Sequence, residues 1–433
     1  MKKNLMRITA LGCMAAMVLT GCGQAAPAGT QAPETEQQVS QSGTASPEVT
    51  PAPEITFWST KEDCFQELCD EFKAETGITV HATFMGGYDD MVNKVMAGIA
   101  GNKLPDVAQL GQRHGLAQMY DSGYLLPVED YISKDILDDI FPGFWKRFTY
   151  KDKKVILPFQ NSMPVLYYNK TLLEENSVQV PETLDQVVAA AKEIKEKTGT
   201  YGFTLNEDYP WYVLALIYNS GVTPVKDNKA GMSVPEVENV FKKLGQMSTA
   251  DKSMPANQHA TAKEDFCNGN VGMLMSSCAS YAGIQKLVDN KFELGVARFP
   301  SVTTMNIPMG GNGLGLFKST PEKQKAASMF IEFMLDKDRV ANNTLKSGYI
   351  PVTNAAIATD TYKKYLEDPN RQVVNDQLQF LGGASVDPAD SLVWSEIGSL
   401  LDSIEADENT DITGRLNQID KKITQYMEQY AGK

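Results

Sequence analysis

Few residues in this chain could carry covalent chemistry, and their spacing argues against each reaction in turn. The three histidines, His81, His114 and His259, stand far apart, with no HExxH or other ligand spacing, so they do not outline a metal centre. A lone histidine is more often structural or solvated than catalytic. The run Gly310-Gly311-Asn312-Gly313-Leu314-Gly315 resembles a phosphate-cradling loop. A dinucleotide fingerprint, however, follows a strand and opens a helix, and here a strand is expected after it. Neither GxxxxGK[ST] nor GxSxG occurs. Asp and Glu total 54, enough that paired carboxylates for glycosidic cleavage cannot be dismissed by counting. A glycoside hydrolase is therefore carried as the rival reading. Of the six cysteines, Cys22 has a context that points to chemistry.

That context is the N-terminus. Lys2, Lys3 and Arg7 form a basic region, Ile8 to Leu19 form a short apolar run, and Leu19-Thr20-Gly21-Cys22 follows. The run is too short to cross about 30 Å of hydrocarbon, so it reads as a secretion signal. Leu-Thr-Gly-Cys has the form of a bacterial lipobox, in which residues 1–21 are removed and the Cys22 thiol is lipidated. Cys13 would leave with the signal. Residues 22–53 are then the lipidated cysteine and a tether rich in Ala, Pro, Thr, Gln, Ser and Glu. Such a segment buries too little apolar surface to offset its ordering entropy. As a coil of about 30 residues it would reach roughly 30 Å. This order places a globular body on the outer face of the cell membrane, with no later stretch of membrane-spanning length.

The remaining body, some 380 residues by count, suits two lobes of ordinary domain size. The net charge is −14 and becomes more negative once the three basic residues are cleaved. That argues against nucleic acid and against an electrostatic hold on anionic lipid. Cys64, Cys69, Cys267 and Cys278 remain in the body; they could pair in three ways or stay free, and Cys64 and Cys69 point to different faces of one expected helix.

The elements that must position any site alternate in type. Glu54 to Trp58 is β-prone, and Ser59 or Thr60 could cap a helix carrying Phe65, Leu68 and Phe72 and ending at Gly77. Ile78 to Phe84 alternates as a strand; a loop at Gly86-Gly87-Tyr88 precedes a helix over Asp89–Ala100; Pro105 to Leu110 reads as a third strand. Val155 to Asn169 is β-rich and interrupted by Pro158 and Pro164. Helices are expected from Pro181 to about Lys197 and from Lys323 to Asp336, with strands at Val271–Met275 and Leu314–Phe317. This pattern predicts an α/β fold on mainly parallel sheets.

Taken in order, several segments resemble one family. The most specific is Pro158-Phe159-Gln160-Asn161-Ser162-Met163-Pro164-Val165-Leu166-Tyr167-Tyr168-Asn169-Lys170. It is supported by Ile55 to Trp58, Asn268 to Met273, Gly310-Gly311 before a strand, and Ser347 to Thr353. Together they resemble ABC-importer extracellular solute-binding proteins of family 1, the maltodextrin-binding type, closest to binders of glycerol-3-phosphate and sugars. The resemblance implies a two-lobed, periplasmic-binding-protein-like fold of type II with a ligand cleft between the lobes. It places the N-terminal lobe at 54–162 plus 296–347 and the C-terminal lobe at 163–295 plus 348–433. It also implies capture by hinge closure, no enzymatic step, no cofactor and no metal. The implied partners are a mono- or oligosaccharide and the permease subunits, with the protein acting as a monomer. A sensor module presenting the same ligand to a receptor would share the fold.

By the same resemblance, ligand contacts fall at Tyr88, Gln112, Asn161, Ser162, Trp211, Ser277, Ser280, Gly311 and Tyr349. Gln112 stands where glycerophosphate binders carry a glutamate. Those binders also set a late-helix arginine against the phosphate, and the corresponding stretch here, Ser391 to Glu396, has none. Trp394 offers a stacking surface instead. A buried phosphate dianion with no cation beside it is costly, so the expected ligand is an uncharged saccharide, with glycerol-3-phosphate or a glycerophosphodiester as the alternative.

Overall fold

Ile55 and Phe57 alternate with more exposed neighbours along Glu54–Ser59 and are fully buried, so one face of this first strand is committed to a core. The computed structural model describes residues 49–112, 115–383 and 385–432. Cys22 with its lipobox, the tether to residue 48, and His114 lie outside the described residues.

Two sheets organise the body. The first contains β1 (Glu54–Ser59), β2 (Thr79–Phe84), β3 (Val107–Gly111) and β4 (Leu125–Leu126), together with β5 (Leu157–Ser162). The second contains β6 (Pro164–Asn169), β7 (Tyr201–Leu205), β8 (Val271–Ser277) and β9 (Leu294–Ala297). β10 (Gly310–Phe317) returns to the first sheet, whose order is β2-β1-β3-β10-β4 with β5 paired to β10. The second sheet runs β9-β6-β8-β7.

The sheets are more mixed than the alternation of elements predicts. β1 pairs parallel with β2 and β3, and β7 with β8, but β10 is antiparallel to β3, β4 and β5, and β6 is antiparallel to β8 and β9. The antiparallel strands are those by which the chain passes between sheets. β5 leaves the first sheet at Ser162 and, one residue later, β6 enters the second. Pro158 and Pro164 lie within these strands instead of breaking them. A third passage is pinned where Ile350 N–H donates to Asn161 O at 2.7 Å.

Helices cover the sheets: α1 (Gln66–Thr76), α2 (Tyr88–Gly101), α3 (Leu116–Asp121), α4 (Leu184–Thr198), α5 (Tyr209–Asn219), α6 (Pro235–Thr249), α7 (Pro321–Met334), α8 (Lys337–Ser347), α9 (Asp390–Ala406) and α10 (Ile412–Ala431). α4 starts on a capping box between Thr183 and Gln186, and α1 ends on Gly77 in the left-handed region. α1 starts later than expected, at Gln66. Ser59 and Thr60 do not cap it; the Thr60 hydroxyl donates to Gln109 Oε1 at 2.8 Å, which ties this turn to β3. Phe57, Phe72 and Phe330 meet edge to face at 5.2–5.5 Å under the first sheet. Each such pair contributes about 0.5–1.5 kcal/mol beyond the area it buries. Nearly all of α5 is buried, which makes it an interior helix able to hold a side chain still. Cys64, Cys69, Cys267 and Cys278 are free thiols, and Cys64 precedes α1 instead of lying on it.

Candidate functional site

At the crossings the two sheets enclose a cavity of about 300 Å³. Tyr88, Gln112, Ser162, Gly310 and Gly311 line it from the first sheet and its helices; Asp208, Trp211, Ser277, Ala279 and Ser280 line it from the second; Ser347 and Tyr349 close the passage between them.

The first wall is shaped by glycine. Tyr88 opens α2, one residue earlier than the expected helix, and its ring lies on the backbone of Gly111. A Cβ there would stand 2.9 Å from Tyr88 Cγ, so a larger residue would push the ring into the cleft. Asn312 Nδ2 donates to the Tyr88 hydroxyl at 2.9 Å, and that hydroxyl stands 3.4 Å from the Tyr349 hydroxyl. Burial, with Tyr88 beside it, holds the Tyr349 phenol well above its ordinary range, so it remains a neutral O–H. Gly311 has φ +95, and a Cβ would stand 2.0 Å from Gln160 O, so this position admits no side chain.

The second wall is the first turn of α5. Trp211 is 5% exposed and its benzo edge lies on Gly310, where a Cβ would come within 2.6 Å of the ring. Its indole Nε1–H is buried and has no partner among the described residues. Such a donor is costly unless something else accepts from it. Ser277 accepts from Ala279 N at 3.2 Å and caps the turn after β8, while Ser276 Oγ lies 3.5 Å from Ser280 Oγ.

Two residues assigned by resemblance do not reach the cavity. Asn161 is fully buried behind the first wall, where its Nδ2 donates to Gly310 O and Asn312 O at 3.2 Å. It fixes the backbone on which Trp211 rests, and its Oδ1 has no partner among the described residues. Trp394 lines a neighbouring chamber with Arg147, Tyr218, Asp387 and Asp390. Trp211 and Gln112 border both spaces.

Arg147 is the residue that sequence reasoning missed. Its side chain is 4% exposed and its Nη2 pairs with Asp390 Oδ2 at 3.0 Å. Nε donates to Gln112 Oε1 at 3.1 Å, Nη2 to Gln112 O at 3.2 Å, and Nη1 to Ser385 O at 3.4 Å. The guanidinium is thus committed to protein oxygens. Burial and nearby Asp390 raise the Asp387 carboxyl to about 6, against the pull of a backbone N–H from Ala389 and of Arg147. Asp208 and Gly310 were also missed; Asp208 lies three residues before Trp211, and only that proximity could have flagged it. Among the described residues, the cavity lining therefore holds three aromatic rings, several hydroxyls and amides, one carboxylate and no Lys, Arg or His.

A family model described as bacterial extracellular solute-binding protein matches residues 67–370. The sn-glycerol-3-phosphate-binding periplasmic protein UgpB of Agrobacterium fabrum is 23% identical over 357 residues, 76% of this chain and 81% of that protein. A putative binding protein of Brucella abortus is 24% identical over 316 residues, 69% of this chain and 74% of its own length. Among solved structures, UgpB from Mycobacterium tuberculosis in complex with glycerophosphocholine superposes with a TM-score of 0.76 at 21% identity, covering 88% of this chain and 100% of that one. The GacH receptor of Streptomyces glaucescens, solved unliganded and with acarbose, gives 0.75 at 18% identity, covering 88% and 99%. These likenesses establish the two-lobed fold.

Proposed function

We propose, on the premise that this chain belongs to the bacterial extracellular solute-binding proteins, that it captures a neutral saccharide and delivers it to the permease of an ABC importer. The observation that carries the choice of ligand is the lining of the cleft. Tyr88, Trp211 and Tyr349 supply flat faces for sugar C–H groups, and the indole N–H, the serines and Asp208 supply partners for hydroxyls. Among the described residues a phosphate dianion would meet a carboxylate and no cation there, and Arg147 next door already serves Asp390 and Gln112. The relatives' names favour a second reading, sn-glycerol-3-phosphate or a glycerophosphodiester, which would require Arg147 to leave its partners.

The rest of the reading is proposed with it. The lobes are assigned to 54–162 with 296–347 and to 163–295 with 348–433; the separation of β5 from β6 at Met163 supports the first limit, and Arg339 of α8 pairing with Glu75 of α1 at 2.5 Å supports another. A ligand between the walls favours the closed form by its differential affinity. Cys22 is assigned as the lipidated anchor, with the protein a monomer at the outer membrane face; capture involves no bond-making step. A thermal-shift screen against sugars, oligosaccharides, polyols and phosphoesters tests this, because a ligand bound only by the native state raises Tm. A saturable shift with intact saccharide recovered supports the reading; a cleaved saccharide points to a glycosidase, and a response to phosphoesters alone selects the second reading.

A further inference from the structure

Behind α5, on the side away from the cavity, His259 and Glu405 face each other at 6% and 2% exposure. His259 Nδ1 lies 3.1 Å from Leu205 O, and a carbonyl only accepts, so this nitrogen carries a proton. Nε2 lies 3.2 Å from Glu405 Oε2, close enough for an ion pair though not aligned as a straight hydrogen bond. Without a second proton, a nitrogen lone pair would face a carboxylate oxygen in a buried site. Glu405 Oε2 also accepts from Asn257 N at 2.7 Å, but Oε1 is buried without a partner among the described residues, so the imidazolium is what offsets its charge.

This pair touches the cleft wall through one ring. Tyr209, the first residue of α5, stacks on the imidazole at 4.0 Å and 23°. Its hydroxyl donates to Asp402 Oδ2 at 3.1 Å. Tyr209 and Pro210 rest on Gly398 of α9, where a Cβ would stand 3.3 Å from Pro210 Cγ. Trp211 is the next residue. The groups facing the imidazole are thus Glu405 and Asp402 from α9, Tyr209 from α5, the Leu205 carbonyl from β7 and the Asn257 loop.

We propose that His259 and Glu405 are positioning residues for Trp211: the proton held between them fixes the first turn of α5, and its loss releases the indole from its seat on Gly310. The proposal rests on the reading of Trp211 as a ligand-facing ring, but its test needs no ligand. Burial alone would lower the imidazole pKa; the Glu405 carboxylate, with Leu205 O and Asp402, outweighs it and raises the value. The stabilisation is therefore complete below the ordinary imidazole value of about 6.5 and disappears as pH rises through the higher folded value.

The experiment is 19F NMR of the intact chain carrying 5-fluorotryptophan, titrated from about pH 5.5 to 9, with Trp211 assigned by Trp211→Phe and the His259 ring followed in parallel. The Trp211 resonance is expected to step with the midpoint of His259, and His259→Gln and Glu405→Gln should abolish the step. Tyr209→Leu, which leaves the pair intact, should uncouple the two signals while His259 still titrates. A Trp211 resonance that stays fixed while His259 titrates, or a step that survives Tyr209→Leu, would overturn the proposal. Failure of every saccharide in the thermal-shift screen would remove the transport reading and leave this coupling standing.

Discussion

The cleft and the chamber beside it share Trp211 and Gln112, yet their polar atoms are arranged in opposite ways. In the chamber, the guanidinium of Arg147 is held by Asp390, both the side chain and the backbone of Gln112, and Ser385 O. In the cleft wall, the indole N–H of Trp211 has no partner among the described residues, and behind it Asn161 Oδ1 and Asn312 Oδ1 have none there either. A saturated cluster is a joint; it holds Gln112 of the first wall against the start of α9. A wall that presents such a donor can serve an oxygen of a ligand. The presence of an arginine therefore says less about the ligand than what the arginine is already doing.

Removing the joint should produce the largest effect and should appear in stability. Arg147→Ala leaves Asp390 half-buried and uncompensated, and should cost about 3–5 kcal/mol in a denaturant titration. A loss below about 1 kcal/mol would mean that the chamber is solvated and the contrast with the cleft is overdrawn. Disturbing the cleft should produce the complementary result. Gly310→Ala forces the Trp211 ring off its seat, and overpacking of this kind costs about 1–3 kcal/mol, here expected in saccharide affinity by calorimetry.

A finer change sharpens the comparison. Trp211→Phe keeps a ring on Gly310 but deletes the unpartnered donor. Stability should hold or rise, because a buried unsatisfied group is gone, while affinity falls by about 1 kcal/mol, roughly fivefold. The smallest effect is expected at the edge of the chamber. Asp387, raised to about 6, favours its protonated form in the fold. Its contribution is present at acidic pH, below the ordinary carboxylate value, and is lost as pH rises through about 6. Asp387→Asn should therefore raise Tm slightly near pH 8 and leave it unchanged near pH 4.

Much of the candidate cleft is legible because its residues sit in short, ordered segments: Ser162 at the first crossing, Gly311 before the strand, and Tyr349 after α8 all lie at passages between sheets. What was not legible depends on distance in the chain. Arg147 meets Asp390 across 243 positions, and no local pattern announces that a cation absent from Ser391–Glu396 is supplied from elsewhere and already paired. Trp394 is expected at the cleft from its place in the stretch matching the late-helix arginine, but it lines the neighbouring chamber. The Ser59-Thr60 cap failed for a related reason, since Gln109, fifty residues on, captures those hydroxyl and backbone groups. His259 looked like an ordinary isolated histidine because Glu405 is invisible from its own neighbourhood.

The central claim, a cleft prepared for a neutral polyhydroxylated ligand, is tested most directly by calorimetric titration of one protein preparation with a saccharide panel and with sn-glycerol-3-phosphate and glycerophosphocholine. The account predicts saturable heat from at least one neutral saccharide, weakened in Gly310→Ala and Trp211→Phe, and none from either phosphoester. Tight binding of a phosphoester that is abolished by Arg147→Ala, with no response to any saccharide, would contradict it.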